Sequence, residues 1–89
     1  MVLVTNRAAE VLRATLVKAG PEPGQTLRLV ATPEGRFRLR LDRERKGDQV
    51  AKAAGEKILV MSPEAAEALS GAVIDTRDTD EGPKLAIRG

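Results

Sequence analysis

The residues with the clearest claim on chemistry are a row of cations: Arg36, Arg38 and Arg40 at alternate positions, continued by Arg43, Arg45 and Lys46. Their alternation with Phe37, Leu39 and Leu41 has the period of a β-strand, which sets the three arginines on one face about 6 to 7 Å apart. That is close to the phosphate spacing of an extended nucleic acid, so anion contact is sterically open to them. Binders of single strands interleave aromatic side chains with such a row, whereas Phe37 falls on the opposite face. The plain reading is a solvated face whose arginines pair with acids across the sheet, each pair worth roughly 0 to 1 kcal/mol. The functional reading is recognition of an anionic partner, with a protein favoured over nucleic acid because the formal net charge is only +2.

A second group, Asp75, Asp78, Asp80 and Glu81, could offer oxygen ligands to a hard cation, but the alternating acids, central glycine and distal glutamate of a calcium loop are missing. A solvated turn over residues 78–82 is expected instead. None of the 13 acids sits in an apolar context that would raise its pKa for acid–base work. Ser62 and Ser70 read as helix-end residues, and neither phosphate-cradling glycine pattern occurs. The chain has no cysteine, histidine, tryptophan or tyrosine. That removes disulfides, thiolate metal sites, cysteine nucleophiles and the commonest general base. No catalysis, metal or cofactor is expected.

Several elements must position the arginines. Val2-Leu3-Val4 reads as a short strand, and Thr5 or Asn6 can cap the helix that follows. Apolar residues Ala8, Ala9, Val11, Leu12, Leu16 and Val17 recur at helical spacing up to Ala19, where Gly20 and Pro21 stop the helix. Strands are expected over 26–31, with Leu27, Leu29 and Ala31 on one face, and over 36–41, joined by a turn at 32–35. Residues 42–48 read as a charged loop, 49–53 as an edge strand, and Lys57 to Met61 as a strand buried on both faces. Ser62-Pro63-Glu64 starts a short helix to Leu69. Strands over 72–76 and 84–88 close the chain.

Eighty-nine residues point to one domain, 1–89, and 24 Val, Ile, Leu, Met and Phe side chains suffice for a compact core. The order of elements argues for an α+β, mainly β fold: small mixed sheets, as a sandwich or open barrel, with an N-terminal amphipathic helix and a short second helix. No apolar run approaches a membrane span and no basic leader precedes Val2, so a cytoplasmic protein is expected. Ten arginines against five lysines, with few Asn, Gln or Cys, fit a composition suited to high temperature.

Taken in order, the N-terminal Val2 to Ala9 leading into a helix, Gly24-Gln25-Thr26-Leu27-Arg28-Leu29, Gly47-Asp48-Gln49-Val50, Gly55 to Val60, Gly71-Ala72-Val73-Ile74-Asp75 and Gly82 to Ile87 resemble the HesB/IscA-like family of iron–sulfur biogenesis proteins. The resemblance covers nearly the whole chain and implies that family's fold. It does not carry the family's ligands: the "GGCSGF" turn falls at Pro33-Glu34-Gly35-Arg36-Phe37, with Glu34 in the cysteine's place, and no counterpart of the C-terminal "CGC" follows Arg88-Gly89. One hard carboxylate does not replace three thiolates. What the resemblance implies is a non-catalytic, HesB-like protein without its cluster ligands. Such a protein would bind a protein partner, in a role linked to iron–sulfur assembly, and would form homo-oligomers as such relatives do. The alternative is binding of nucleic acid or another polyanion through residues 36–46.

Overall fold

A computed structural model describes residues 2–34, 36–53 and 55–88. In chain order the elements are β1 (Leu3–Val4), α1 (Asn6–Ala19), β2 (Gln25–Ala31), β3 (Phe37–Arg43), β4 (Gln49–Ala53), β5 (Glu56–Met61), α2 (Pro63–Ala68), β6 (Val73–Thr79) and β7 (Gly82–Arg88). They form two mixed sheets, one of order β1-β6-β7 and one of order β3-β2-β5-β4. The fold is therefore α+β and mainly β, with the two helices where the caps and periodicity put them.

Both helices begin on side-chain caps. The Thr5 hydroxyl accepts the Ala8 N–H at 3.2 Å and the Ser62 hydroxyl accepts the Ala65 N–H at 3.2 Å, each satisfying a donor the first turn leaves free. Helix α1 ends where Gly20 turns left-handed, at φ 65, and returns its N–H to the Val17 carbonyl. Its inward stripe touches both sheets and supplies Leu12 to a core shared with Leu27, Leu29, Ile58, Leu59, Met61 and Ile74, all of them 6% exposed or less. Strand β5 is central, flanked by β2 in parallel and β4 antiparallel, which is why its Ile58 to Met61 run is buried on both faces. Strand β4 lies at a margin, as an edge strand.

Several boundaries differ from those expected. Strand β3 starts at Phe37 and runs on to Arg43, so Arg36 lies in the turn and Asp42 and Arg43 lie in a strand, paired with Thr26 and Gln25. Arg36 is held there by its N–H on the Thr32 hydroxyl and by its carbonyl, which accepts the Thr32 N–H. Strand β6 continues to Thr79, which shortens the acidic turn to Asp80 and Glu81 and lets β7 begin at Gly82. The Thr79 hydroxyl closes that turn, accepting from Glu81 N–H and donating to the Gly82 carbonyl. Helix α2 ends at Ala68, one residue short of the expected Leu69, which serves as its C-cap.

Candidate functional site

The arginine row sits on β3, at the margin of the four-stranded sheet. Alternation places Arg38 and Arg40 on the outer face, both exposed, and Phe37, Leu39 and Leu41 on the inner face, each half-buried. Because the strand extends beyond Leu41, Arg43 falls on the same side as the leucines and leaves the row; its guanidinium donates to the Pro23 carbonyl at 3.4 Å. Arg45 rejoins it from the following loop, and Lys46 is exposed in that loop's turn. Of the six candidates, then, Arg38, Arg40 and Arg45 share one region. Arg36 and Arg43 flank it, and Lys46 lies on the loop over it.

The centre of that region is a residue outside the sequence-derived set. Arg28, on β2 directly opposite Arg40, is buried, with a side chain only 5% exposed. Its Nε donates to Asp42 at 2.8 Å, its two terminal nitrogens donate to the two Asp48 carboxylate oxygens at 3.2 and 2.5 Å, and a further bond reaches the Arg43 carbonyl at 3.0 Å. Four bonds in a fixed fork are what a guanidinium needs when water is excluded. Asp48 in turn accepts the Arg45 N–H at 2.7 Å, so Arg28 pins the loop after β3 over the sheet. The hydrogen bond from Arg28 is the main reason Asp48 sits below the usual carboxylate pKa. For Asp42 the bond from the Arg43 N–H comes first, then that from Arg28. Arg28 is pushed up, chiefly by Asp48. A single charge in an otherwise apolar stretch, Leu27-Arg28-Leu29-Val30, was the signal available in the sequence.

Asp42 also draws in the surface arginines, with Arg45 at 3.3 Å and Arg40 at 3.7 Å. Among the described residues no carboxylate lies within salt-bridge distance of Arg38, Arg36 or Lys46. Two shallow pockets flank the row. One of about 310 Å³ lies between Arg40, Arg45 and the Ser62–Ala65 end of α2, with Val30 in its lining. The other, of about 490 Å³, runs from Arg38 and Arg40 to the turn that carries Pro33 and Glu34. Between the two sheets lies a third pocket, of about 300 Å³, lined by the apolar residues Leu12, Leu29, Phe37, Leu39, Leu59, Ile74, Leu85 and Ile87.

The acids are divided among separate partners. Asp75 accepts from the Thr5 hydroxyl at 2.8 Å, from the Thr76 N–H and from Arg88, and the Thr5 bond leads in lowering its pKa. Asp78 pairs with Arg7 at 2.9 Å and Glu81 with Lys84 at 3.8 Å. Among the described residues no three of His, Cys, Asp and Glu converge. Glu34 is an exposed turn residue at the edge of the 490 Å³ pocket. Neither arrangement fits an iron–sulfur cluster, which needs several soft donors on one site, and the 89 residues hold neither thiol nor imidazole.

The same arrangement of strands and helices occurs in solved proteins. Over 99% of this chain and 84% of that one, it superposes on Escherichia coli SufA, a protein involved in biosynthesis of iron–sulfur clusters, with a TM-score of 0.76 and 21% identity. IscA with its [2Fe-2S] cluster matches at a TM-score of 0.63 and 20% identity, over 100% of this chain and 85% of that one. A protein from Aquifex aeolicus matches at 0.66 and 23%, over 97% and 88%. No family model matches the sequence, and no curated protein does. The fold is that of SufA and IscA.

Proposed function

We propose that this chain is a non-catalytic accessory protein, built on the SufA and IscA fold, that carries no cluster and acts by binding another protein in iron–sulfur assembly. The observation that carries this reading is the mismatch between scaffold and donor set: a fold found in an iron–sulfur cluster protein, on 89 residues with no cysteine and no histidine. A scaffold of this kind without soft donors still has its surfaces. One such surface is the outer face of β3, where Arg38 and Arg40 line one pocket and Arg40 a second. A protein fits it better than a nucleic acid does. Glu34, Asp42 and Glu64 are interspersed with the arginines and would repel a continuous phosphate chain.

The test is reconstitution. Purified protein incubated anaerobically with iron, sulfide and a thiol reductant, then desalted, should be colourless and retain no stoichiometric iron or acid-labile sulfide. A brown product with iron and sulfide in equal, stoichiometric amounts would overturn the reading.

A further inference from the structure

Strand β3 has an open edge. It is the outermost strand of its sheet, paired only with β2, and its seven residues hold no proline and no register shift against that partner. The other margins are interrupted: β1 is two residues long, the β4–β5 ladder shifts register between Ala51 and Lys52, opposite Ile58 of β5, and β7 carries Pro83. The bond from Thr32 N–H to the Arg36 carbonyl fixes the phase of the β2–β3 ladder. By antiparallel alternation the backbone groups of Phe37, Leu39 and Leu41 then point away from β2. The Arg43 N–H, in the same phase, is already taken by the Asp42 carboxylate.

The two faces of that edge differ in chemistry. Arg38 and Arg40 project on one, and on the other Phe37 and Leu39 border the 300 Å³ apolar pocket, which Leu85 and Ile87 of β7 line from the other sheet. We propose that the open edge of β3 docks an extended segment of a partner protein in which acidic and apolar residues alternate. Main-chain bonds to Phe37, Leu39 and Leu41 would supply affinity, the arginines would take the acids, and the pocket would take the apolar side chains. Charge selects this occupant over a second copy of the chain. Antiparallel pairing of two β3 strands centred on Leu39 sets Arg38 against Arg40; pairing centred on Arg40 sets that arginine against itself, and the Asp42 then opposite Arg38 is already held by Arg28, Arg45 and the Arg43 N–H. The inference rests on the protein-binding reading above and names the class of partner.

Calorimetric titration and amide exchange with a seven-residue peptide alternating valine and glutamate test it. Binding should protect the amides of Phe37, Leu39 and Leu41 and weaken as salt rises. Replacing the central valine by proline should weaken binding roughly tenfold, about the effect of one lost main-chain hydrogen bond. A peptide of the same composition with its glutamates in one block should bind no better than the proline version, and the valine–lysine peptide should not bind. The double variant Arg38→Glu/Arg40→Glu should reverse the preference, binding the lysine peptide and rejecting the glutamate one. No binding of the glutamate peptide, indifference to proline or residue order, or protection elsewhere in the chain would overturn the proposal. None of those results bears on reconstitution, so a colourless protein that ignores the peptide would refute the docking edge while leaving the accessory reading intact.

Discussion

Arg28 and Arg40 are the same residue type on neighbouring strands, paired in register on one face of one sheet, and they do opposite things. Arg28 lies on a strand with neighbours on both sides and a loop above it, so its charge is fully taken up by Asp42, Asp48 and a carbonyl. Arg40, one strand further out, is 59% exposed and shares Asp42 only at 3.7 Å. Position in the sheet, rather than residue type, decides whether an arginine holds this fold together or stays in water. A buried guanidinium is a structural commitment, because taking it from water costs several kcal/mol that only a complete set of acceptors offsets. A marginal one keeps its hydration and remains available.

The largest effect should come from breaking the buried pair. With side chains 5% and 2% exposed, Arg28 and Asp48 are bonded twice, and Asp48→Ala leaves the buried guanidinium with only Asp42 and a carbonyl, so the variant is expected to lower unfolding free energy by roughly 2 to 4 kcal/mol in urea titration. Arg40→Ala should change it by less than about 0.5 kcal/mol. Replacing Arg28 with methionine in the Asp48→Ala background should restore part of the loss, because no buried guanidinium short of acceptors then remains and Asp42 keeps Arg45 and the Arg43 N–H. Equal effects at Asp48 and Arg40 would collapse the distinction between the two arginines.

Acid titration sharpens the same contrast. The folded-state pKa values of Asp48 and Asp42 are depressed, so both contribute stability that is complete above the ordinary carboxylate pKa of about 4 and is lost as pH falls through the lower folded values. Arg28 stays charged throughout and adds nothing to the slope. Stability should be flat from neutrality to the ordinary carboxylate range and then decline. In the combined Arg28→Met/Asp48→Ala variant the acid decline should be visibly shallower. An unchanged acid limb would mean that the ion pair is not what acid disrupts.

Much of this fold was legible because its signals are local. Thr5, Gly20 and Pro21 bracket α1 within the sequence, Ser62-Pro63 opens α2, and the apolar Ile58 to Met61 run could only be a covered strand. Alternation also placed Arg38 and Arg40 correctly. What escaped was set at a distance. Arg28 finds its acceptors 14 and 20 residues away, and no window over β2 contains them. The end of β3 is fixed by Gln25 and Thr26 on the partner strand, so Asp42 and Arg43 read as loop from the sequence, and Arg43, which continues the row in sequence, sits on the opposite face. The Thr32 hydroxyl, reaching four residues forward, draws Arg36 out of the strand and into the turn. The resemblance to HesB/IscA-like proteins reached the fold because it drew on the whole chain at once, whereas the buried ion pair depends on three positions that share no motif.

The smallest change in stability should accompany the clearest change in association. Arg38→Thr with Arg40→Thr removes two exposed charges and adds two β-branched residues that suit a strand, so the unfolding free energy should move by less than about 1 kcal/mol in either direction. It also removes the like charges that oppose a second β3, while leaving the backbone groups of Phe37, Leu39 and Leu41 unpaired at the margin. Light scattering over a concentration series should then show the variant shifting toward species larger than those of the wild-type chain under the same conditions, with salt narrowing the difference by screening arginine repulsion in the wild type. The variant removes only the 3.7 Å approach of Arg40 to Asp42 and leaves the four Arg28 bonds in place, so a change in mass without a change in stability assigns the two adjacent arginine positions to separate tasks. If mass and stability moved together, the margin of the sheet would be carrying structural weight that its exposure does not suggest.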